Sequence, residues 1–397
     1  RHCWVSPYSL SPSGAACCQS TRVVKSRSKA AFLRKFNCTM HQQDTGSVMS
    51  QVAFFVKDML CLYILSAYYL LWECFLRFKT LFSPRERISY ESMENKTVVM
   101  TGGSGGIGHE TMRTLLSLGA RVIDGSPEAS LTEERRRLLL EGHPTAKVEL
   151  LPLDLSSMSS VKSFAERILE NESKVDVLIC NAGVMLMPYQ ETEDGFESHL
   201  SINYLGHCLL IALLLPLLTA AGKEGHAARI VNVSSCAHKA ASIDLDDLNG
   251  RKKYSCYRGY TQSKVAQVLF TISLGKCLQA MEVPVTVNCI HPGIVNTQLY
   301  QRVWWAPLVA GIFFKTPEES VKTVLHAALS NELEGITGCY LEECAPAQPL
   351  SLCNSRHMQE RLWERTWTLL RPWLNEEANN VFAWLSGASA ECKETHV

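Results

Sequence analysis

The chain lacks a charge imbalance and a metal-type cysteine spacing, and its N-terminal apolar segment lacks an uncharged run long enough to cross a bilayer. Lys plus Arg and Asp plus Glu are each 39 in 397 residues, so nothing indicates a phosphate-neutralising surface and no nucleic-acid partner is expected. The 16 cysteines contain no CxxC pair and no paired Cys/His spacing, so no metal site is expected. Cys180, Cys208, Cys236 and Cys289 lie inside apolar runs and read as small core hydrophobes. The body of the protein is therefore expected in a reducing compartment, with the sequons at Asn37, Asn171 and Asn232 unused. Within the segment 52–82 the longest uncharged run, residues 59–72, has 14 residues, short of the ~20 of a full span.

Residues 1–48 show no sustained period and are rich in Ser, Arg and small residues. They read as disordered, or as sequence upstream of a natural start at Met40 or Met49. Residues 49–90 change character. "VAFFVKDMLCLYILSAYYLLWECFLRFKTLF" suits a buried, an interfacial or a spanning helix. Its position ahead of the folded domain, its clustered Tyr and Trp, and the following Arg77, Lys79, Arg85 and Arg87 favour a membrane anchor. The basic flank places the downstream domain on the cytosolic side. Lys57 and Glu73 are expected to reach toward headgroups.

From Thr97 onward short β-branched runs ("TVVMT", "RVI", "KVELLPL", "KVDVLIC", "RIVNVSS", "VPVTVNCI") alternate with longer helical stretches. That alternation predicts an α/β fold, a single doubly wound parallel sheet with helices on both faces, spanning 91–345. Residues 346–397 follow as an amphipathic helix ("RHMQERLWERTWTLLRPWL") and a tail without motifs.

Ligands of such sheets bind outside the carboxyl ends of the strands, so the motifs there carry the functional reading. "VVMTGGSGGIGHE" puts Gly102, Gly106 and Gly108 between the first strand and a helix, where glycine lets the backbone approach a pyrophosphate at the helix N-terminus. Asp154, after the third strand, is a candidate acceptor for an adenine amino group or a helix cap. Asn181 and Gly183 of "CNAG" follow the fourth strand. Pro292–Gly293 follow the sixth, and Thr297 is placed to bond a carboxamide.

Tyr260 and Lys264 of "YTQSK" share one face of a helix. A nearby ammonium, with an oxidised nicotinamide, is expected to lower the phenol pKa from its usual ~10. Ser235 ends the fifth-strand segment and can hold a substrate oxygen beside Tyr260. Ser234 should point to the opposite face. Asn203, in an apolar helix, needs a partner; a water leading to Lys264 is one candidate and an ordinary buried amide the other. "VWWAPLVAGIFF", 303–314, suits a lid over a lipid substrate, a membrane contact, or a helix buried against the domain.

In order along the chain, TGxxxGxG, NAG, the Asn, the Ser, YxxxK and PG resemble the short-chain dehydrogenase/reductase family, over roughly residues 93–340. The resemblance implies a Rossmann-type fold and an oxidoreductase using NAD or NADP. Tyr260 would be the general acid/base, Ser235 would orient substrate, and Lys264 would assist Tyr260 and bind ribose. Asn203 would hold a relay water. Thr101, Ser104, Ile107, Leu155 and Ala182 join the residues above as expected cofactor contacts, as do Tyr260 and Lys264. "NYLGHCLL", "IVNVSSCAHKA" and "HPGIVNT" are similar to the retinol-dehydrogenase-like branch, and "CNAGVMLMPYQETEDGFESHLSINYLGH" to its polyprenol-active members. This implies a membrane-associated enzyme of the endoplasmic reticulum or lipid droplet acting on polyprenol/polyprenal and dolichal/dolichol, with retinol or a steroid as the alternative. An oligomer is compatible with the sequence and not specified by it. A cofactor-binding scaffold without turnover is the alternative of another class, against which the intact Asn, Ser, Tyr and Lys set argues.

The chain departs from the family twice. Cys180 replaces the first Asn of NNAG. After the second strand, "GARVIDGSPEAS" has neither an acid at Ser126, where NAD-preferring members place one, nor an Arg at Pro127, as in NADP-preferring relatives. Asp124 falls two positions early, and Arg135–Arg137 are expected on the solvated face of the next helix. Cofactor preference is left open by these residues.

Overall fold

In the computed structural model, described for residues 45–81, 90–141, 145–303, 305–374, 376, 378 and 379, the six β-branched runs form β1 (Thr97–Thr101), β2 (Arg121–Ser126), β3 (Lys147–Pro152), β4 (Val177–Cys180), β5 (Ala228–Val233) and β6 (Val285–His291). Residues 1–44 with Asn37 and Met40, Arg85 and Arg87 of the basic flank, Trp304 and the tail from 380 lie outside the described residues. Two short strands, β7 (Tyr340–Glu342) and β8 (Ala345–Pro346), extend the sheet to eight in the order 3-2-1-4-5-6-7-8. All neighbouring pairs are parallel except β7–β8. Strand order reverses between β1 and β4, and that reversal opens a crevice at the carboxyl edge.

Side chains alternate across the sheet. Val98, Met100, Val177 and Ile179 face α2 (Gly106–Ser117) and α8 (Pro317–Leu329). Val99, Leu178 and Cys180 face the core built with α4 (Met158–Asn171), α5 (Gly206–Ala221), α6 (Cys256–Ala280) and α9 (Arg356–Leu370). The remaining helices are α3 (Glu133–Leu140) and α7 (Ala306–Phe313). Helix α9, in the segment set apart as 346–397, brings Trp363 and Trp367 against Phe270 and Thr366 against the Tyr204 hydroxyl at 2.6 Å. The sequon at Asn232 is closed off, since its side chain is buried and donates to Thr271 Oγ1 at 2.9 Å.

Among the described residues two helices are long and apolar enough to cross a membrane, and burial separates them. Residues Leu200–Ala221 are 78% buried over their apolar window and form a core helix; Met49–Phe75 are only 11% buried. The latter belong to α1 (Thr45–Leu81). By contact clustering residues 1–52 and 53–397 form separate compact units; of the first, the described residues are the opening turns of α1.

Within the second unit α1 has two unlike faces. Leu62 and Tyr69 pack in a cluster with Met185, Tyr257, Tyr260, Ile294, Val303 and Phe314. Val56, Leu60, Ile64, Tyr68, Leu71, Trp72 and Phe75 are exposed. Lys57 is exposed as expected, but the expectation for Glu73 is corrected. It lies on the inner stripe, 2% exposed, and its Oε1 accepts the Ile294 N–H at 2.9 Å. A carboxylate there satisfies a buried backbone donor instead of reaching toward headgroups.

Candidate active site

The loop after β1 is shaped by close approach. Gly102 and Gly106 have φ of +74° and +53°, a region that favours glycine. A Cβ on Gly108 would stand 2.2 Å from the Gly102 carbonyl oxygen and 2.6 Å from Asn181 Nδ2. Asn181 ties the loop to the end of β4, donating to the carbonyls of Thr101 and Gly102 at 3.1 and 3.2 Å. Around Gly105 a Cβ would meet nothing within 4 Å, so the loop is tight against the protein and open toward the crevice, a cradle fitted to a pyrophosphate.

Thr101 does not line the crevice, in contrast to its expected role as a cofactor contact. It is fully buried, and its hydroxyl accepts from the N–H groups of Asn181 and Ala182, both at 3.1 Å. His207 completes this link. Burial holds its pKa down at about 4, so the ring is neutral, with one donor and one acceptor nitrogen. Nδ1 donates to the Asn203 carbonyl, and Nε2 accepts from Thr101.

Asn203 stands on a π-helical turn, Leu200–Leu205, that leads into α5. It too lies behind the crevice. Its Oδ1 accepts the Val184 N–H at 2.7 Å; its Nδ2 donates to the Val184 carbonyl at 3.0 Å and to Ser263 Oγ at 2.9 Å. A methyl placed on Gly183 would stand 3.2 Å from Asn203 Oδ1 and 3.6 Å from Lys264 Nζ, so the amide oxygen and the amine border the same gap.

Ser235, Tyr260 and Lys264 converge beyond the ends of β5 and β4. The Ser235 and Tyr260 side chains line the same cleft and the same small cavity beside it, and Ser235 Oγ is oriented by accepting the Ala237 N–H at 3.2 Å. Ser234 turns to the other side, donating to the Lys264 carbonyl. Lys264 Nζ lies 6.0 Å from the Tyr260 ring centre and donates to the Val233 carbonyl and Gln267 Oε1, each at 3.0 Å.

The expected lowering of the phenol pKa is not what the protein alone provides. Burial pushes Tyr260 up, and the neighbouring Ser235 hydroxyl offsets only part of that. Lys264 is pulled down to about 8 by its own burial, so it is a weaker source of positive charge than an exposed lysine. Its depressed value has a sign that can be checked. Between about 8 and its unfolded value the unfolded chain binds the proton and the folded chain does not, so stability rises with pH there. The melting temperature of the wild type relative to Lys264→Met should therefore climb from pH 8 to pH 10. A flat or falling difference would contradict the assigned burial.

A cleft of about 540 Å³ runs along this edge, within the size range of cofactor sites. Gly102, Ser104, Gly106, Ile107 and Gly108 line one end, with Asp154 and Leu155. Asn181, Ala182 and Gly183 line the middle. Ser235, Tyr260, Lys264, Pro292 and Gly293 line the other end, and Thr297 reaches back over the glycine loop. Thr297 presses on Gly106, where a Cβ would meet its methyl at 2.8 Å. Asp154 sits exposed on the rim with Oδ1 accepting from the Ser156 N–H and hydroxyl, while the cap of α4 is Ser157.

At the adenosine end the expectation for Arg135 is corrected. Arg136 and Arg137 are exposed, but Arg135 is buried and donates to Asp124 Oδ2 at 2.6 Å. Asp124 also accepts from Ser126 Oγ at 2.6 Å and from the Gly103 N–H at 2.8 Å. The carboxylate thus braces the glycine loop from below. Sequence reasoning missed this pair, and it missed Ser263 and Gln267, the partners of Asn203 and Lys264. Gln267 had a local signal, since it lies three residues beyond Lys264 on one helix face. Arg135 had none, because its partner belongs to β2.

The fold and this cleft define an NAD(P)-dependent oxidoreductase, and the chain belongs to the short-chain dehydrogenase family, whose model matches residues 96–306. It is 41% identical over 273 residues to the polyprenol dehydrogenase of Mus musculus, covering 68% of this chain and 82% of that protein. It is 40% identical over 292 residues to human retinol dehydrogenase 14, covering 68% and 85%. Among solved structures, an uncharacterized protein from Mycobacterium paratuberculosis aligns with a TM-score of 0.57 and 31% identity, over 71% of this chain and 96% of that one.

Proposed function

We propose that this oxidoreductase is membrane-associated and transfers a hydride between NAD(P) and a hydrophobic lipid alcohol/aldehyde pair, with polyprenol/polyprenal and dolichal/dolichol as first choice. The observation that carries this is the meeting of Ser235 and Tyr260 where the cleft gives way to an apolar cluster containing α1. The polyprenol dehydrogenase relatives favour the isoprenoid choice, and the retinol dehydrogenases favour retinol as the second reading.

When bound, the nicotinamide supplies or takes up the hydride. Gly102, Gly106 and Gly108 would hold the pyrophosphate, Asn181 and Gly183 the ribose neighbourhood, and Thr297 the carboxamide. For reduction, the neutral Tyr260 phenol gives its proton to the carbonyl oxygen held by Ser235; for oxidation, the phenol must first pass its proton outward, and the resulting phenolate takes the proton of the alcohol oxygen held by Ser235. Tyr260 moves only that proton, so its phenol must regain its charge state each turnover. Asn203 and Lys264, bordering one gap at Gly183, are suited to passing the proton outward by a water.

The docking of α1 bears on how a membrane would be met. The helix contacts the domain from Phe54, under the Arg258 guanidinium at 4.3 Å, to Glu73 at the Ile294 N–H. At 1.5 Å per residue that is about 29 Å, nearly the whole ~30 Å of a hydrocarbon core. An upright span would drag Arg258, Lys239 and Glu342 into lipid, so α1 lies in the interface with its exposed apolar face toward the acyl chains. The catalytic unit then faces the cytosol, on the endoplasmic reticulum or a lipid droplet. A turnover panel on membrane-bound protein, crossing NAD and NADP with isoprenoid, retinoid and steroid alcohols, tests the reading. The expected result is preferential isoprenoid turnover. Activity confined to steroids would sink the assignment.

A further inference from the structure

A second, smaller cavity of about 30 Å³ touches Ser235 and Tyr260, with no residue of the glycine loop in its lining. Its far wall is α1, through Leu62, Tyr63, Ser66 and Leu70, and its floor includes Met185 and Leu186. Tyr300, Val303 and Trp305 close it from the segment leading into α7. The volume is about that of a single water, far too small for an extended apolar chain. Any such chain whose hydroxyl reaches Ser235 must therefore widen this space and run between α1 and the approach to α7.

The wall is held by specific polar bonds. Tyr63 meets the Tyr257 hydroxyl at 3.2 Å. Tyr69 donates to Glu342 Oε1 at 2.8 Å and accepts from Lys239 Nζ at 2.7 Å. Lys239 lies on the turn that starts at Ser235, so the latch on α1 and the residue holding the substrate oxygen share one short segment. A helix serving only for attachment would need its outer apolar face and none of these inner bonds.

We propose that α1 is a wall of the substrate site, with Leu62, Ser66 and Leu70 contacting the apolar chain of an alcohol or aldehyde whose oxygen lies at Ser235 and Tyr260. This rests on the oxidoreductase reading above and adds a binding role for the N-terminal helix. Both substitutions that test it are made in the full-length, membrane-bound protein. Ser66→Phe fills the passage and Leu62→Ala widens it. Geranylgeraniol is the long probe and prenol the short one, with membrane pelleting as a control because both side chains point inward.

Ser66→Phe should raise the KM for geranylgeraniol about tenfold, and Leu62→Ala should lower it. The KM for prenol should move less than twofold in both, and pelleting should not change. Opposite directions from the two variants cannot come from misfolding. If geranylgeraniol and prenol shift equally, or neither shifts, α1 is not a wall and the proposal fails while the oxidoreductase reading stands. If the wild type oxidises neither alcohol, it is the substrate reading that fails.

Discussion

Tyr260→Phe should lower kcat/KM for the alcohol by about 10²–10⁴-fold, the usual contribution of a positioned proton donor or acceptor. The loss should fall on kcat, because the phenol is needed only while the proton moves. Folding should be little affected. The ring stays in its cluster with Cys236, Ala237 and Ile294, and only the hydroxyl facing the cleft is removed. Because burial raises the phenol pKa, the substitution removes a neutral hydroxyl near neutral pH and leaves no buried charge uncompensated. Cofactor titration should be unchanged within a few-fold. If turnover survives the substitution, Tyr260 is not the proton carrier; if turnover is lost while a biological effect of the protein persists, that effect comes from a cofactor-binding scaffold.

Gly108→Val should abolish measurable cofactor binding and lower stability together. Its first side-chain atom would stand 2.2 Å from the Gly102 carbonyl, a backbone oxygen that accepts from Asn181 and cannot swing aside. Relieving the overlap means moving the glycine loop off β4, which breaks the cradle. Overpacking of this kind costs about 1–3 kcal/mol. Gly105→Ala is the matched control. Its backbone is extended at φ −172° and its Cβ would enter open space, so its melting temperature should stay at the wild-type value. Equal melting temperatures for Gly108→Val and the wild type would show that the loop is looser than its contacts indicate.

Strands β1, β4, β5 and β6 were legible because each is a mostly apolar run buried along its whole length, as in "TVVMT". The proton-transfer set was legible because Ser235 and the YxxxK helix lie at the same sheet edge as the glycine loop. "YLE" of β7 was too short to separate from loop, and it gains strand form only by pairing with β6. Arg135 looked solvated because "EERRRLLL" reads locally as a charged helix, whereas its buried partner Asp124 is supplied by a different element. Glu73 misled in the same way. A carboxylate in an apolar helix suggests a polar exit until tertiary packing brings the Ile294 N–H to it. The sign of the Tyr260 shift also depended on burial, which spacing does not report.

The widened turn at Leu200–Leu205 has a consequence for the register of everything after it. A helix of uniform pitch advances about 100° per residue, so removing one residue from this turn would swing Asn203 from Val184 and Ser263 toward the sheet. His207 would rotate with it, uncoupling Thr101 from the segment. The surplus residue therefore acts as a phase correction: it lets α5 keep its leucines in the core while one amide is aimed at the reaction chamber.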